Sequence, residues 1–173
     1  MSVDRPTSFT LRAATAADCG TLFRLISALA EYEKLNHLVE ATPARLEQAL
    51  FGPQAHAEAI LVDATTPEGS RSVGFALFFH NFSTFLAKPG LYLEDLFVEP
   101  AWRGHGLGKL LLRHLAALAL ERGCGRFEWS VLDWNTPSIE FYRAMGADVM
   151  PDWRICRVTG DALARLGAPA AGI

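Results

Sequence analysis

At 173 residues the chain suits one domain whose core needs no disulfide or metal staple. Half of its residues are hydrophobic and a fifth are charged, which excludes a disordered chain. A formal charge of −3 leaves no chain-wide basic footprint for nucleic acid.

Residues 9–13 alternate apolar and polar and predict a first strand. Thr15, with Asp18 three residues on, predicts a cap for a helix carrying Leu22, Leu25, Ile26, Leu29 and Ala30 on one face. Thr42-Pro43 predicts a second helix start, because proline at the first helical position loses no needed donor. Leu46 and Leu50 follow, and Gly52-Pro53 stops it. The apolar runs 59–62 and 73–79, with turn-rich 65–70 between them, predict a hairpin. A further strand is expected over 91–98. Beyond a glycine-rich turn, Leu107, Leu111, Leu115 and Leu118 share a helix face that Gly123 and Gly125 close. A strand over 127–132, a short helix over 137–145 ended by Gly146, and a last strand over 154–158 complete the chain. The order β-α-α-β-β-β-α-β-α-β predicts an α/β fold, a mixed sheet with helices on both faces. A tail at 1–7, one domain over 8–166 and a second tail at 167–173 are the expected divisions.

The most informative segment is the strand Glu94-Asp95-Leu96-Phe97-Val98 running into Pro100, then Arg103-Gly104-His105-Gly106-Leu107-Gly108 at a helix entrance. Glycines let backbone approach a ligand closely, and the helix entrance offers unpaired N–H groups to a phosphate. Arg103 adds a charge-assisted contact. A Walker loop is excluded because Lys109 precedes Leu110 rather than Ser or Thr, and the spacing is not the dinucleotide G-x-G-x-x-G. The alternative is a glycine turn with no ligand.

Arg103-x-x-Gly106-x-Gly108, after Leu96-Phe97-Val98 and before an amphipathic helix, resembles the acetyl-CoA motif of the GNAT superfamily of N-acetyltransferases. Asn135-x-Pro137-Ser138-x-x-Phe141-Tyr142-x-x-x-Gly146-Ala147 resembles that family's following motif. Tyr92-Leu93-Glu94-Asp95, Trp134-Asn135, Leu29-Ala30-Glu31-Tyr32-Glu33-Lys34 and Trp153-Arg154 are similar to the diamine acetyltransferase branch, which includes spermidine/spermine and thialysine acetyltransferases. The resemblance implies the GNAT-like acyl-CoA N-acyltransferase fold, with a splayed central sheet. It also implies acetyl-CoA as cosubstrate, held by Leu96, Phe97 and Val98 through main chain and by Arg103, Gly104, His105, Gly106, Leu107 and Gly108 at the turn. Asn135 and Ser138 inherit further coenzyme contacts. Tyr142 inherits the acid that protonates the departing thiolate, and Glu94 the base or electrostatic anchor, with Asp95 the lesser candidate. Tyr32, Glu33, Glu94, Asp95 and Asp152 become candidates for binding a cationic small-molecule amine. A homodimer is also implied.

The remaining residue types add exclusions. Cys19, Cys124 and Cys156 form no C-x-x-C pair, and an odd count cannot pair fully within the chain, so reduced thiols in a cytoplasmic protein are expected. The five histidines show no metal-ligand spacing, and no metal is expected. No apolar run approaches the roughly 20 residues of a membrane-spanning helix. Residues 1–10 lack a signal peptide's apolar stretch. Two other readings stand: an acetyltransferase for another amine (amino acid, aminoglycoside or peptide N-terminus), and an acyl-CoA sensor without turnover.

Overall fold

A computed structural model of the chain describes residues 8–168. The expected tail at 1–7, and residues 169–173 of the C-terminal one, lie outside them. The described residues divide into two compact units at Ser130/Val131.

The first unit holds β1 (Ser8–Ala13), α1 (Cys19–Tyr32), α2 (Pro43–Phe51), β2 (Glu58–Thr66), β3 (Gly69–Ser83), β4 (Lys88–Val98), α3 (Leu107–Glu121) and β5 (Phe127–Trp129). Its five strands lie in chain order across one sheet. Neighbours from β1 to β4 are antiparallel, whereas β4 and β5 are parallel. The sheet is therefore mixed, as the order of elements predicts.

Local signals explain where the helices begin. Asp18 Oδ2 accepts from the Thr15 amide and hydroxyl, both at 2.8 Å, closing a capping box ahead of α1. Thr42 Oγ1 accepts from the Arg45 amide at 3.2 Å, and Pro43 opens α2. Gly123, at φ +68°, ends α3 in the left-handed conformation that costs glycine least.

Strand alternation assigns the faces. Ala59, Leu61, Phe75 and Phe97 point to one side, where Leu22 and Leu25 of α1 and Leu50 of α2 join them in a buried cluster. The other parity carries the fully buried Val62 and Phe78. There the Arg122 guanidinium, just past α3, lies 5.9 Å from the Phe78 ring and binds Glu58 at 2.8 Å. Helices thus cover both faces.

Two irregularities in β4 matter for the site. Its pairing with β3 passes from Leu77↔Asp95 to Phe78↔Leu93, so Glu94 is the extra residue of a β-bulge. Its pairing with β5 spans only Leu91↔Phe127 to Leu93↔Trp129. Beyond Leu93, no strand among the described residues flanks β4 on that side, which is the splay the family resemblance implies.

The second unit holds α4 (Thr136–Ala144) and α5 (Gly160–Leu166). α4 starts where Ile139 N meets Asn135 O at 3.0 Å, and it ends at Gly146, φ +92°. The strand expected over 154–158 is absent: Arg154 and Arg157 fall on opposite parities, so the segment has no apolar face to bury, and it is exposed throughout. The strand expected over 127–132 ends at Trp129, where its pairing with β4 runs out. α5, one short exposed helix, adds to the expected elements.

Phe75 is wholly buried at the centre of the cluster. Phe75→Ala is expected to cost about 3–5 kcal/mol in urea unfolding. A loss under about 1 kcal/mol would mean the cluster is not the core.

Candidate active site

The splayed end of β4 leads into the glycine turn. From Asp95 to Val98 the strand pairs with β3 on one side, while its alternate N–H and C=O groups on the other side have no strand to meet among the described residues. Phe97 and Val98 are buried, so only their main chain can serve a ligand. Leu96 is half-buried.

The turn presents main-chain donors and a helix entrance of the kind that suits an anion. A short helical turn at Pro100–Trp102 is followed by Gly104 at φ +83° and Gly106 at φ +77°. A Cβ added to either glycine would meet no atom of the described residues within 4 Å, so lack of space is not what requires glycine there. The backbone conformation is what requires glycine there. Gly106 precedes the fifteen-residue α3, whose first amides have no intrahelical acceptor and stand at the positive end of the helix dipole. Leu107 is buried and anchors the helix start, leaving its amide as the available group, and Gly108 follows in the first turn. The His105 ring is turned onto the loop's own carbonyls, with Nδ1 3.3 Å from Trp102 O and 3.2 Å from Arg103 O. Arg103 Nε donates to Val98 O at 3.0 Å, and its guanidinium sits 4.7 Å from the Tyr32 ring and 5.8 Å from the Phe97 ring. These residues suit a pyrophosphate followed by an extended amide-bearing arm.

A group of carboxylates lies beside it. Asp95 shares the parity of Phe97 and so faces α1, with its carboxyl pushed up to about 6 by burial first, then by the charges of Glu94 and Glu33. Glu33, directly after α1, is itself raised by burial. Glu94 is exposed on the bulge. The structure thus brings Tyr32, Glu33, Glu94, Asp95 and Arg103 together.

Sequence reading misses the continuation of this face. Tyr92 stacks on Phe79 at 5.1 Å between centroids, and its hydroxyl lies 2.9 Å from Ser130 Oγ. Asn81 Nδ2 donates to Glu128 Oε1 at 2.6 Å, and Arg126 Nε is 3.2 Å from Glu128 Oε2. Strand parity alone would put Tyr92 opposite Asp95, and only the bulge at Glu94 brings it onto this face; Asn81 and Glu128 need the strand pairing to meet.

In the second unit, Asn135 is buried immediately before α4, and Ser138 and Tyr142 are half-buried on that helix, four residues apart and so on one face. Asp152 is exposed in an irregular segment. Among the described residues no group of three His, Cys, Asp or Glu side chains is placed to hold a metal, and no helix is long and apolar enough to cross a membrane.

Comparison with known proteins bears on the same segments. The acetyltransferase (GNAT) family model matches residues 25–147, from α1 through α4. The chain is 36% identical to an L-ornithine N5-acetyltransferase of Arabidopsis thaliana over 88% of this chain and 85% of that one. It is 34% identical to a thialysine N-epsilon-acetyltransferase of Sus scrofa over 92% and 97%. An integron cassette protein from Vibrio cholerae has the same fold, with a TM-score of 0.77 at 24% identity, covering 94% of this chain and 99% of that one. The chain belongs to the GNAT family of acetyltransferases.

The carboxyl of Asp95 gives a pH test. Its folded-state affinity for a proton exceeds the unfolded one, so its favourable contribution is full below about pH 4 and is lost as pH rises through about 6. Asp95→Asn should therefore match the parent's stability near pH 4 and exceed it by up to about 3 kcal/mol near pH 7.5. Urea unfolding at both pH values measures this. A difference that does not change with pH would show that Asp95 is not held in a costly environment.

Proposed function

We propose that this enzyme transfers the acetyl group of acetyl-CoA directly to a primary amine of a small cationic molecule, a diamine, polyamine or thialysine-like diamino acid. The observation that carries this reading is Asp95: a half-buried carboxylate crowded by Glu33 and Glu94, at the start of the splayed stretch that leads to the glycine turn. Placing a cation among three carboxylates relieves their mutual repulsion. The named substrates of the two enzyme relatives, ornithine and thialysine, support the class.

In this reading Leu96, Phe97 and Val98 hold the pantetheine arm through main chain. The segment Arg103-Gly104-His105-Gly106-Leu107-Gly108 holds the pyrophosphate, with Asn135 and Ser138 as further contacts. Acetyl-CoA supplies an activated thioester whose carbon–sulfur bond breaks as the carbon–nitrogen bond forms. Asp95 and Glu33 bind and orient the incoming ammonium, with Tyr32 and Asp152 as further contacts.

A free alkyl amine has a pKa of about 10.4, and carboxylates that attract it also favour its protonated form. A separate base must therefore take a proton from the ammonium before the freed lone pair can attack, and the exposed position of Glu94 suits that role through a water. Tyr142 gives its phenolic proton to the leaving thiolate, and main-chain N–H groups of Leu96 to Val98 stabilise the developing oxyanion. No covalent acyl-enzyme is involved, and the cysteines have no part. Residues 8–166 act as one catalytic domain, a division supported by the family match running across residue 130. The cytoplasmic homodimer implied by the resemblance completes the proposal.

The test is turnover with acetyl-CoA and an amine panel spanning polyamines, thialysine, ornithine, lysine, aminoglycosides and short peptides, followed by thiol release and product mass. Diamines and diamino acids should show the highest kcat/KM. Coenzyme A binding with no turnover on any of them would leave a sensor or another acceptor. No coenzyme A binding would end the reading.

The roles separate kinetically. Glu94→Gln should lower kcat by about 10²-fold or more and remove the acid limb of the pH–rate profile, whereas Asp95→Asn should chiefly raise KM for the amine. The opposite pattern would make Asp95 the base. Tyr142→Phe at full turnover under saturating substrates would remove the phenol from the mechanism.

A further inference from the structure

We infer that Glu99, clamped by Arg24 and Arg71, is a positioning residue that fixes the root of the coenzyme-binding turn; this rests on the acetyl-CoA reading above. Glu99 stands between the last residue of β4 and Pro100, where strand becomes loop. It continues the parity of Asp95 and Phe97 and so faces α1, with its side chain only 16% exposed.

Two elements distant in sequence converge on this carboxylate. Arg71 Nη2, on β3, donates to Oε1 at 2.8 Å and to Oε2 at 2.7 Å. Arg24 Nη1, on α1, also binds Oε1, while its Nη2 donates to Ser72 O at 2.8 Å. The Glu99 amide meanwhile donates to Val73 O at 2.9 Å. Side chain and main chain of one residue are therefore held by α1 and β3 together.

The turn hangs from that fixed point. The Trp102 amide donates to Glu99 O at 2.8 Å, and the Arg103 amide to Pro100 O at 3.2 Å. Trp102 is buried edge-on against Phe9, 6.2 Å between centroids. Arg103 Nε returns to Val98 O. Rotation of the backbone at Glu99 would swing the whole turn and redirect the Gly104 and Gly106 amides. An open loop of glycines has little stiffness of its own, so its aim depends on its root.

The alternative is that Arg24 and Arg71 only attract an anion, and the two accounts predict opposite signs. Glu99→Ala frees two cations near the turn. If attraction alone mattered, coenzyme A would bind more tightly, most of all at low salt. If the clamp aims the turn, coenzyme A binds more weakly although the net positive charge has risen.

The experiment is calorimetric titration of the full chain with coenzyme A and with pantetheine, which lacks the phosphates, alongside amide hydrogen exchange of residues 100–108. For Glu99→Ala the expected result is about tenfold weaker coenzyme A binding (~1.4 kcal/mol), unchanged pantetheine affinity and faster exchange in the turn. KM for acetyl-CoA should rise, with kcat and the amine KM unmoved. An Arg24→Gln/Arg71→Gln pair should weaken coenzyme A in the same way. Glu99→Gln, which keeps one acceptor oxygen, should lie between parent and Glu99→Ala, and it provides the test should Glu99→Ala not fold. Equal or tighter coenzyme A binding by these Glu99 variants would overturn the inference alone. Failure of the parent to bind coenzyme A would overturn the cofactor reading and this inference with it.

Discussion

β4 is paired with β3 along its length but with β5 over only three residues, and most of the site depends on that imbalance. A strand flanked on both sides has no backbone groups to offer a ligand; one flanked on neither side would not hold its shape. Here β3 supplies the rigidity, and the edge turned away from it remains available. The glycine turn begins where this half-flanked stretch ends, so an extended ligand can pass from strand edge to helix entrance without leaving backbone donors.

The two faces of the sheet serve different needs. The face opposite α1 is filled with apolar side chains and carries α3. The α1 face is apolar only beneath α1 and α2; toward β5 it turns to Asp95, Tyr92, Asn81 and Glu128. Burying carboxyl groups is costly without partners. The raised proton affinity of Asp95 reflects that cost, which a cationic ligand would offset. In contrast, Asp18 and Glu99 are held by arginines from within the chain, so their charges serve the fold rather than a ligand.

Helix ends are the features most legible in the amino-acid sequence. Thr15, Thr42-Pro43, the glycine turn and Gly123 mark them through local capping chemistry, and the observed α1, α2 and α3 follow these signals. Strand ends are less legible, because a strand is defined by its neighbour: β5 ends where β4 leaves it, and 154–158 forms none. The glycine and β4 residues are recognisable as a motif. The distinction between Glu94 and Asp95 is not, since adjacent acids look alike until a bulge separates them. Nor is the Glu99 clamp, whose arginines lie 75 and 28 residues away in sequence and meet it only after α1 and β3 have packed.

The bulge at Glu94 also alters how this strand counts. In an unbroken strand, residues an odd number apart face opposite sides. Tyr92 and Asp95 are three apart, yet Tyr92 pairs with Phe79 and Asp95 with Leu77, two residues of one β3 face. The aromatic ring and the carboxylate share a surface only because Glu94 is passed over in the pairing. Removing Glu94 altogether would leave Tyr92 and Asp95 two apart in a regular strand, still facing the same way. Flattening the bulge with Glu94 retained would instead turn one of them to the far side of the sheet. Position 94 is thus an insertion that adds an acid to the surface without disturbing the alternation around it. A related sequence one residue shorter at this point would keep the Tyr92 and Asp95 surface and lack only the acid at its edge.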